Sequence, residues 1–177
     1  KIIGSEFLKP IIYYEKKGSA QCKSSVMLAA LNTPGKTTII AKKSRDHTEL
    51  FFKYLKIPIK VKPSGEFDLI EIEGLKQFNA FKYSIPGDIS SSSFFIVLTL
   101  LSKNSKLIIK NVNVNESRIG IIKILNMMNC KIIFKNKKIY KGEKIADIIV
   151  KSSKILNPIN CPASLNSSAI DELLLIF

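Results

Sequence analysis

The feature that most restricts how this chain can fold is an internal repeat. Ser44-Arg45 and Ser117-Arg118 stand 73 residues apart, and with the two pairs superposed the flanking patterns fall into step. A β-rich run precedes each pair, at Thr37 to Ala41 and Leu107 to Val112, and a helical run follows each. A period of about 70 residues is longer than that of ordinary solenoid repeats. Each copy reads as helix, strand, helix and strand pair, which predicts an α/β (α+β) fold with helices packed on mixed sheets. The two copies meet at Ser84-Ile85-Pro86-Gly87, where a boundary between globular bodies is expected. A third copy is expected to start at Ala146 to Lys151 and to end in an apolar helix after Ile170-Asp171-Glu172.

Within the first copy, Lys9 to Glu15 reads as a strand and Gly18 to Ser25 opens a helix running to about Leu31. Glycine and small polar residues ahead of an apolar run mark a helix N-terminus. Such a terminus presents unpaired N–H groups and the positive end of a dipole, a ready anion site. Cys22, Val26, Ala29 and Ala30 are expected to share its apolar stripe, with Leu28 and Leu31 beside it. In the next helix Leu50, Phe51, Tyr54 and Leu55 form the expected apolar face, and Ser44 with His47, or Asp46 with Glu49, sets up the N-cap, the second pair being nearer a capping box. Ile57 to Lys62 and Phe67 to Ile72 form a hairpin across Pro63-Ser64-Gly65. In the second copy Asp88 caps a helix continuing into Phe94 to Leu98, and Asn115 to Arg118 opens one from Ile119 to Met128. Lys131 to Phe134 is a strand with which Lys138 to Tyr140 is expected to pair.

Composition narrows the classes of function. With 46% hydrophobic residues in 177, the chain can bury a core. Its longest clean apolar run, Phe94 to Leu101, is too short to span a bilayer, and no signal peptide opens it. Lys1 and Phe177 nonetheless read as cut ends. The net charge of +14 suggests nucleic acid, yet Arg45 and Arg118 are the only arginines among 28 basic residues. Arginine is the residue favoured for bidentate phosphate and base contacts, so scattered lysine argues against a nucleic-acid surface. It still draws small anions toward a cleft. Cys22, Cys130 and Cys161 match no zinc spacing or disulfide framework and read as reduced thiols, and His47 lacks metal-ligating neighbours.

Six motifs then occur in order: Gly18-Ser19-Ala20-Gln21-Cys22-Lys23-Ser24, Asn32-Thr33-Pro34-Gly35, Ser44-Arg45-Asp46-His47-Thr48-Glu49, Ile85-Pro86-Gly87-Asp88-Ile89-Ser90-Ser91, Asn115 to Gly120, and Ile170-Asp171-Glu172. Together they resemble the EPSP synthase (3-phosphoshikimate 1-carboxyvinyltransferase) family over nearly the whole chain. The resemblance implies an enolpyruvyl transferase-like fold of βαβαββ units in two domains, here incomplete. Residues 1–85 would close the shikimate 3-phosphate-binding domain, and residues 86–177 would belong to the other. The implied reaction moves the enolpyruvyl group of phosphoenolpyruvate to the 5-hydroxyl of shikimate 3-phosphate, releasing phosphate, with no metal or organic cofactor. A cytoplasmic monomer acting on these two substrates, without nucleic-acid or membrane partners, is the corresponding expectation.

Carried over residue by residue, Ser19, Ala20 and Gln21 would hold shikimate 3-phosphate with Arg45 beside them, and Asp171 would accept the proton of the 5-hydroxyl. Hydroxyl, amide and backbone donors at a helix start suit a phosphate, and a neutral alcohol needs a base to become a nucleophile. Arg118, the repeat mate of Arg45, is expected to bond loop carbonyls, and Glu172 to point away from the reacting groups. Cys22 replaces a commoner aliphatic residue, as a buried thiol, and Leu173-Leu174-Leu175 stands where relatives often have a proline. The family's N-terminal lysine and its later phosphoenolpyruvate-clamping residues are not in this chain, so the 177-residue piece is expected to be inactive alone. The alternatives are a UDP-N-acetylglucosamine enolpyruvyl transferase and a nucleic-acid-binding or RNA-end-processing protein of related architecture. No cysteine here has the glycine-rich setting that the first would need.

Overall fold

The computed structural model describes residues 3–74, 77–153 and 155–176. The chain divides into two compact units, Lys1–Lys82 and Tyr83–Phe177. In the first, β1 (Ile12–Glu15) leads to α1 (Ala20–Leu31), β2 (Lys36–Lys42), α2 (His47–Tyr54), β3 (Ile59–Ser64) and β4 (Phe67–Glu73). The sheet order is β1-β2-β4-β3, with β1 parallel to β2 and the other neighbours antiparallel. Alternation along β2 buries Thr37, Ile39 and Ala41 on one face, as a half-buried strand requires. Met27, Ala30, Phe52, Ile57, Ile70 and Ile72 complete that core.

The buried stripe of α1 is Lys23, Met27 and Ala30, whereas Cys22 and Ala29 are exposed. Ala30 of the expected stripe is buried and Val26 packs against the core, but Lys23 and Met27 take the places expected for Cys22 and Ala29. Cys22 is therefore no buried packing substitute. In α2 the core residue is Phe52, with Leu50, Phe51 and Leu55 of the expected face only partly buried and Tyr54 exposed. Asp46 makes no side-chain capping bond there, and Glu49 is turned inward to Lys23 instead of back to the cap.

In the second unit α3 (Ile89–Leu101) is followed by β5 (Lys106–Asn113), α4 (Gly120–Met127), β6 (Ile132–Tyr140) and β7 (Glu143–Lys151). The antiparallel sheet runs β5-β7-β6, which repeats the β2-β4-β3 order of the first unit. Gly87 makes a parallel bridge to Val112 ahead of α3, in the place that β1 holds ahead of α1. Ile89, Ile96, Val112, Ile121, Ile122, Ile148 and Val150 fill the core. Asp88 caps α3 by accepting the Ser91 N–H at 2.8 Å. The hydroxyls of Ser92, Ser93 and Thr99 each return to a carbonyl one turn back, so α3 buries polar side chains without losing hydrogen bonds.

Two expectations for this unit change. Lys138 to Tyr140 continues β6 beyond an irregularity after Lys135 rather than folding back on Lys131 to Phe134. Its partner is β7, so the run at Ala146 to Lys151 completes the second repeat instead of starting a third. After β7 come a 3₁₀ turn (Ala163–Leu165), the short α5 (Asn166–Ala169) and a second 3₁₀ turn (Leu173–Leu175), not one apolar helix. Leu174 is exposed there, and Phe177 lies outside the described residues.

Candidate functional site

The start of α1 is built by the turn before it. Glu15, at the end of β1, is buried and accepts the N–H groups of Lys17 at 2.9 Å and Gly18 at 2.7 Å. Gly18 has φ +75°, a left-handed conformation that side chains rarely adopt. The chain thereby reverses into Ser19, whose hydroxyl oxygen accepts the Cys22 N–H at 3.2 Å as the N-cap. The Ser19 O–H proton is still available to donate. Ala20 is half-buried and Gln21 exposed in the first turn, which contains no acidic residue. The dipole of α1 is thus not neutralised by a side chain of its own first turn.

Beside it lies the segment between β2 and α2. A Cβ on Gly18 would come within 3.7 Å of the Lys43 carbonyl oxygen, so the two backbones are neighbours. Lys23, one turn into α1, donates to the Arg45 carbonyl at 2.9 Å and pairs with Glu49 at 2.6 Å. Both charged side chains are almost fully buried, at 1% and 4% exposure, and Ser24 and Thr48 share a hydroxyl hydrogen bond at 2.6 Å. A buried pair of this kind repays its desolvation only through such tight geometry. Its effect here is to pin residues 44–49 to α1. Between those anchors the Ser44 hydroxyl is buried and has no hydrogen-bond partner among the described residues. An unmade buried bond costs about 1–3 kcal/mol, which makes this oxygen a candidate ligand position that the sequence analysis did not single out. The signal available was its place directly before Arg45, on a loop facing a helix start.

Asp171 lies in the second unit, in the turn after α5, half-exposed. Arg118 donates from one guanidinium nitrogen to Asp171 Oδ2 at 3.2 Å and from the other to Asp88 Oδ1 at 3.2 Å. The second nitrogen also reaches the Ser90 hydroxyl, which donates to the buried Glu172 carboxylate. Arg118 was expected to bond loop carbonyls; its side chain instead holds two carboxylates, because α3 and the Asp171 turn both present acids to it. Partial burial works to raise the Asp88 pKa, but the Ser91 donors and the Arg118 charge outweigh it and hold the carboxyl below its ordinary value. Ser19, Ala20, Gln21 and Arg45 thus belong to the first unit and Asp171 to the second. A groove of about 390 Å³ in the second unit, lined by Glu116, Lys137, Lys138 and Lys144, includes none of them. Among the described residues no three His, Cys, Asp or Glu side chains gather to hold a metal, and no helix is long and apolar enough to cross a membrane.

Comparison with known proteins places this arrangement. The solved structure of EPSP synthase from Acinetobacter baumannii superposes with a TM-score of 0.83 at 34% identity, covering 97% of this chain and 38% of that one. The class is therefore the α/β fold of the enolpyruvyl transferases, present in part. The family model for EPSP synthase (3-phosphoshikimate 1-carboxyvinyltransferase) matches residues 1–176, and the chain belongs to that family. A 3-phosphoshikimate 1-carboxyvinyltransferase of Petrotoga mobilis is 42% identical over 156 residues, 87% of this chain and 35% of that protein. One of Hydrogenovibrio crunogenus is 37% identical over 179 residues, 100% of this chain and 40% of its own length. The chain thus spans about two fifths of the relatives it matches.

Proposed function

We infer that this chain supplies part of an enzyme transferring the enolpyruvyl group of phosphoenolpyruvate to the 5-hydroxyl of shikimate 3-phosphate, with release of phosphate. The observation that carries the reading is the start of α1, with no acid in its first turn, beside the buried, unpartnered Ser44 hydroxyl. Ser19, Ala20, Gln21 and Arg45 hold the phosphorylated substrate, and Ser44 joins them as a further phosphate donor. Hydroxyl and backbone N–H donors at a helix start suit a dianionic phosphate, whose oxygens accept only. The lysine-rich chain adds a long-range attraction for both anionic substrates.

Asp171 takes the 5-hydroxyl proton as that oxygen adds to C2 of phosphoenolpyruvate. Protonation of the methylene carbon gives a tetrahedral adduct, from which phosphate leaves C2 as the new methyl group gives up a proton to restore the double bond, steps assigned to no residue of this chain. The chain by itself is inactive in this reading, and the enzyme is a cytoplasmic monomer without nucleic-acid partners. Family membership disfavours the UDP-N-acetylglucosamine and RNA-end-processing readings. A thermal-shift titration of a full-length chain carrying this segment tests the choice. Shikimate 3-phosphate should raise Tm and UDP-N-acetylglucosamine should not; the reverse result would overturn the assignment.

A further inference from the structure

The arginine that follows β5 does more than close a turn. Arg118 sits at the end of a loop fixed by Asn115, whose side-chain oxygen accepts the Ser117 N–H at 2.9 Å and the Ser117 hydroxyl at 2.8 Å. Asn115 is itself buried, and its amide nitrogen reaches buried Glu143 at 3.4 Å. The Arg118 N–H is tied back to the Asn115 carbonyl at 2.9 Å. The Arg118 side chain, 12% exposed, thus starts from a backbone position fixed by hydrogen bonds. On the other side, a Cβ at Gly120 would stand 2.7 Å from the Ser168 carbonyl carbon and oxygen. Only glycine at the first residue of α4 lets α5 approach this closely, and α5 delivers the turn that carries Asp171.

We propose that Arg118 is a positioning residue for the proton acceptor, holding the Asp171 carboxylate ionised and fixed in orientation through Oδ2 by bracing it against Asp88 and Ser90. The proposal rests on the reading of Asp171 as the base. Its chemistry is specific. A carboxylate approached by two anionic substrates tends to bind a proton and cease to be a base. A guanidinium at hydrogen-bond distance opposes that and does not itself titrate in the working range. The planar fork also fixes the direction of the carboxylate, which a lysine point charge would not. Among the described residues, the charged groups linked to Asp171 include Arg118 and, through Ser90 and the same guanidinium, Glu172 and Asp88. In the proton transfer Asp171 gains one proton from the substrate hydroxyl and Arg118 gains and loses none.

The test uses a full-length chain carrying this segment, with Arg118→Met, Arg118→Lys, Asp171→Asn and the Arg118→Met/Asp171→Asn pair. Arg118→Met should lower kcat about ten- to a hundredfold, the scale of a misplaced catalytic group, with both KM values little changed. The acid limb of its kcat–pH profile should move to higher pH, and Arg118→Lys should restore the limb but only part of kcat. In the Asp171→Asn background Arg118→Met should cost nothing further. An unchanged pH profile in Arg118→Met, a limb in Arg118→Lys displaced as far as in Arg118→Met, or full additivity of the double variant, would overturn the proposal. If Arg118→Met does not fold, the Arg118→Lys split between restored limb and reduced kcat decides alone. Near-normal turnover in Asp171→Asn would instead remove the base assignment, a failure distinguishable from that of Arg118.

Discussion

The two units start their first helices with opposite electrostatics. α1 is capped by the neutral Ser19 and has no acid in its first turn; α3 is capped by Asp88, whose charge lies on the helix dipole and against Arg118. The loops opposite them differ to match. In the first unit the buried cation is Lys23 on α1, which pins Arg45 by its carbonyl and pairs with Glu49. In the second the cation is Arg118 on the loop, spent on Asp88 and Asp171. One topology thus yields a helix start fit to receive an anion and another already neutralised by its own aspartate. Repeat position alone does not confer a binding role.

Asp171→Asn should produce the largest effect, cutting turnover of a full-length chain at least about a hundredfold, the range of general acid–base groups. Steady-state kinetics on folded protein checks it, and near-wild-type turnover would leave the second unit without a chemical role. Next is the buried pair. Lys23→Met strands the Glu49 carboxylate, one oxygen of which is already unbonded, and should cost about 3–5 kcal/mol. Lys23→Met with Glu49→Leu should recover much of that loss in urea titrations. If the single variant is no less stable than the double one, the loop is not pinned by charge.

Gly120→Ala should destabilise by about 1–3 kcal/mol, as overpacking against backbone does. A Tm unchanged from wild type would mean that α5 shifts freely. The smallest effect sharpens the contrast between the caps. Asn is as good an N-cap as Asp, so Asp88→Asn isolates the charge. The folded Asp88 pKa is lowered, so its contribution is present above the ordinary carboxyl value of 3.8 and is lost as pH falls through the lowered folded value. Wild type should therefore lose stability relative to Asp88→Asn as pH drops below about 4. Parallel stability–pH curves would show that α3 gains nothing from its charged cap.

Much of this architecture was legible because it rests on local chemistry. Ser19 and Asp88 announce their helices, and the β-branched run from Thr37 to Ile40 marks its strand. What escaped was the use of polar residues inside. Lys23 and Glu49 break the expected stripes because their burial depends on each other, and neither sequence neighbourhood contains the partner. The pairing of β6 with β7 was missed for a related reason, since the strand at Ala146 to Lys151 fits equally well as the start of another copy. Ser19, Ala20, Gln21 and Arg45 were picked out through motif resemblance. Ser44 becomes visible only when the loop is seen against α1. Arg118 was noticed as a repeat mate, but its carboxylate partners lie 30 and 53 residues away.

The account turns on the start of α1 and the Ser44 hydroxyl as the phosphate-binding element. The most direct measurement is calorimetric titration of shikimate 3-phosphate into a full-length chain carrying this segment, wild type against Ser44→Ala. The hydroxyl has no partner to lose on folding, so Tm should hold or rise slightly, while affinity should fall about tenfold or more, as for a lost charge-assisted hydrogen bond. Unchanged affinity with unchanged Tm would contradict the account.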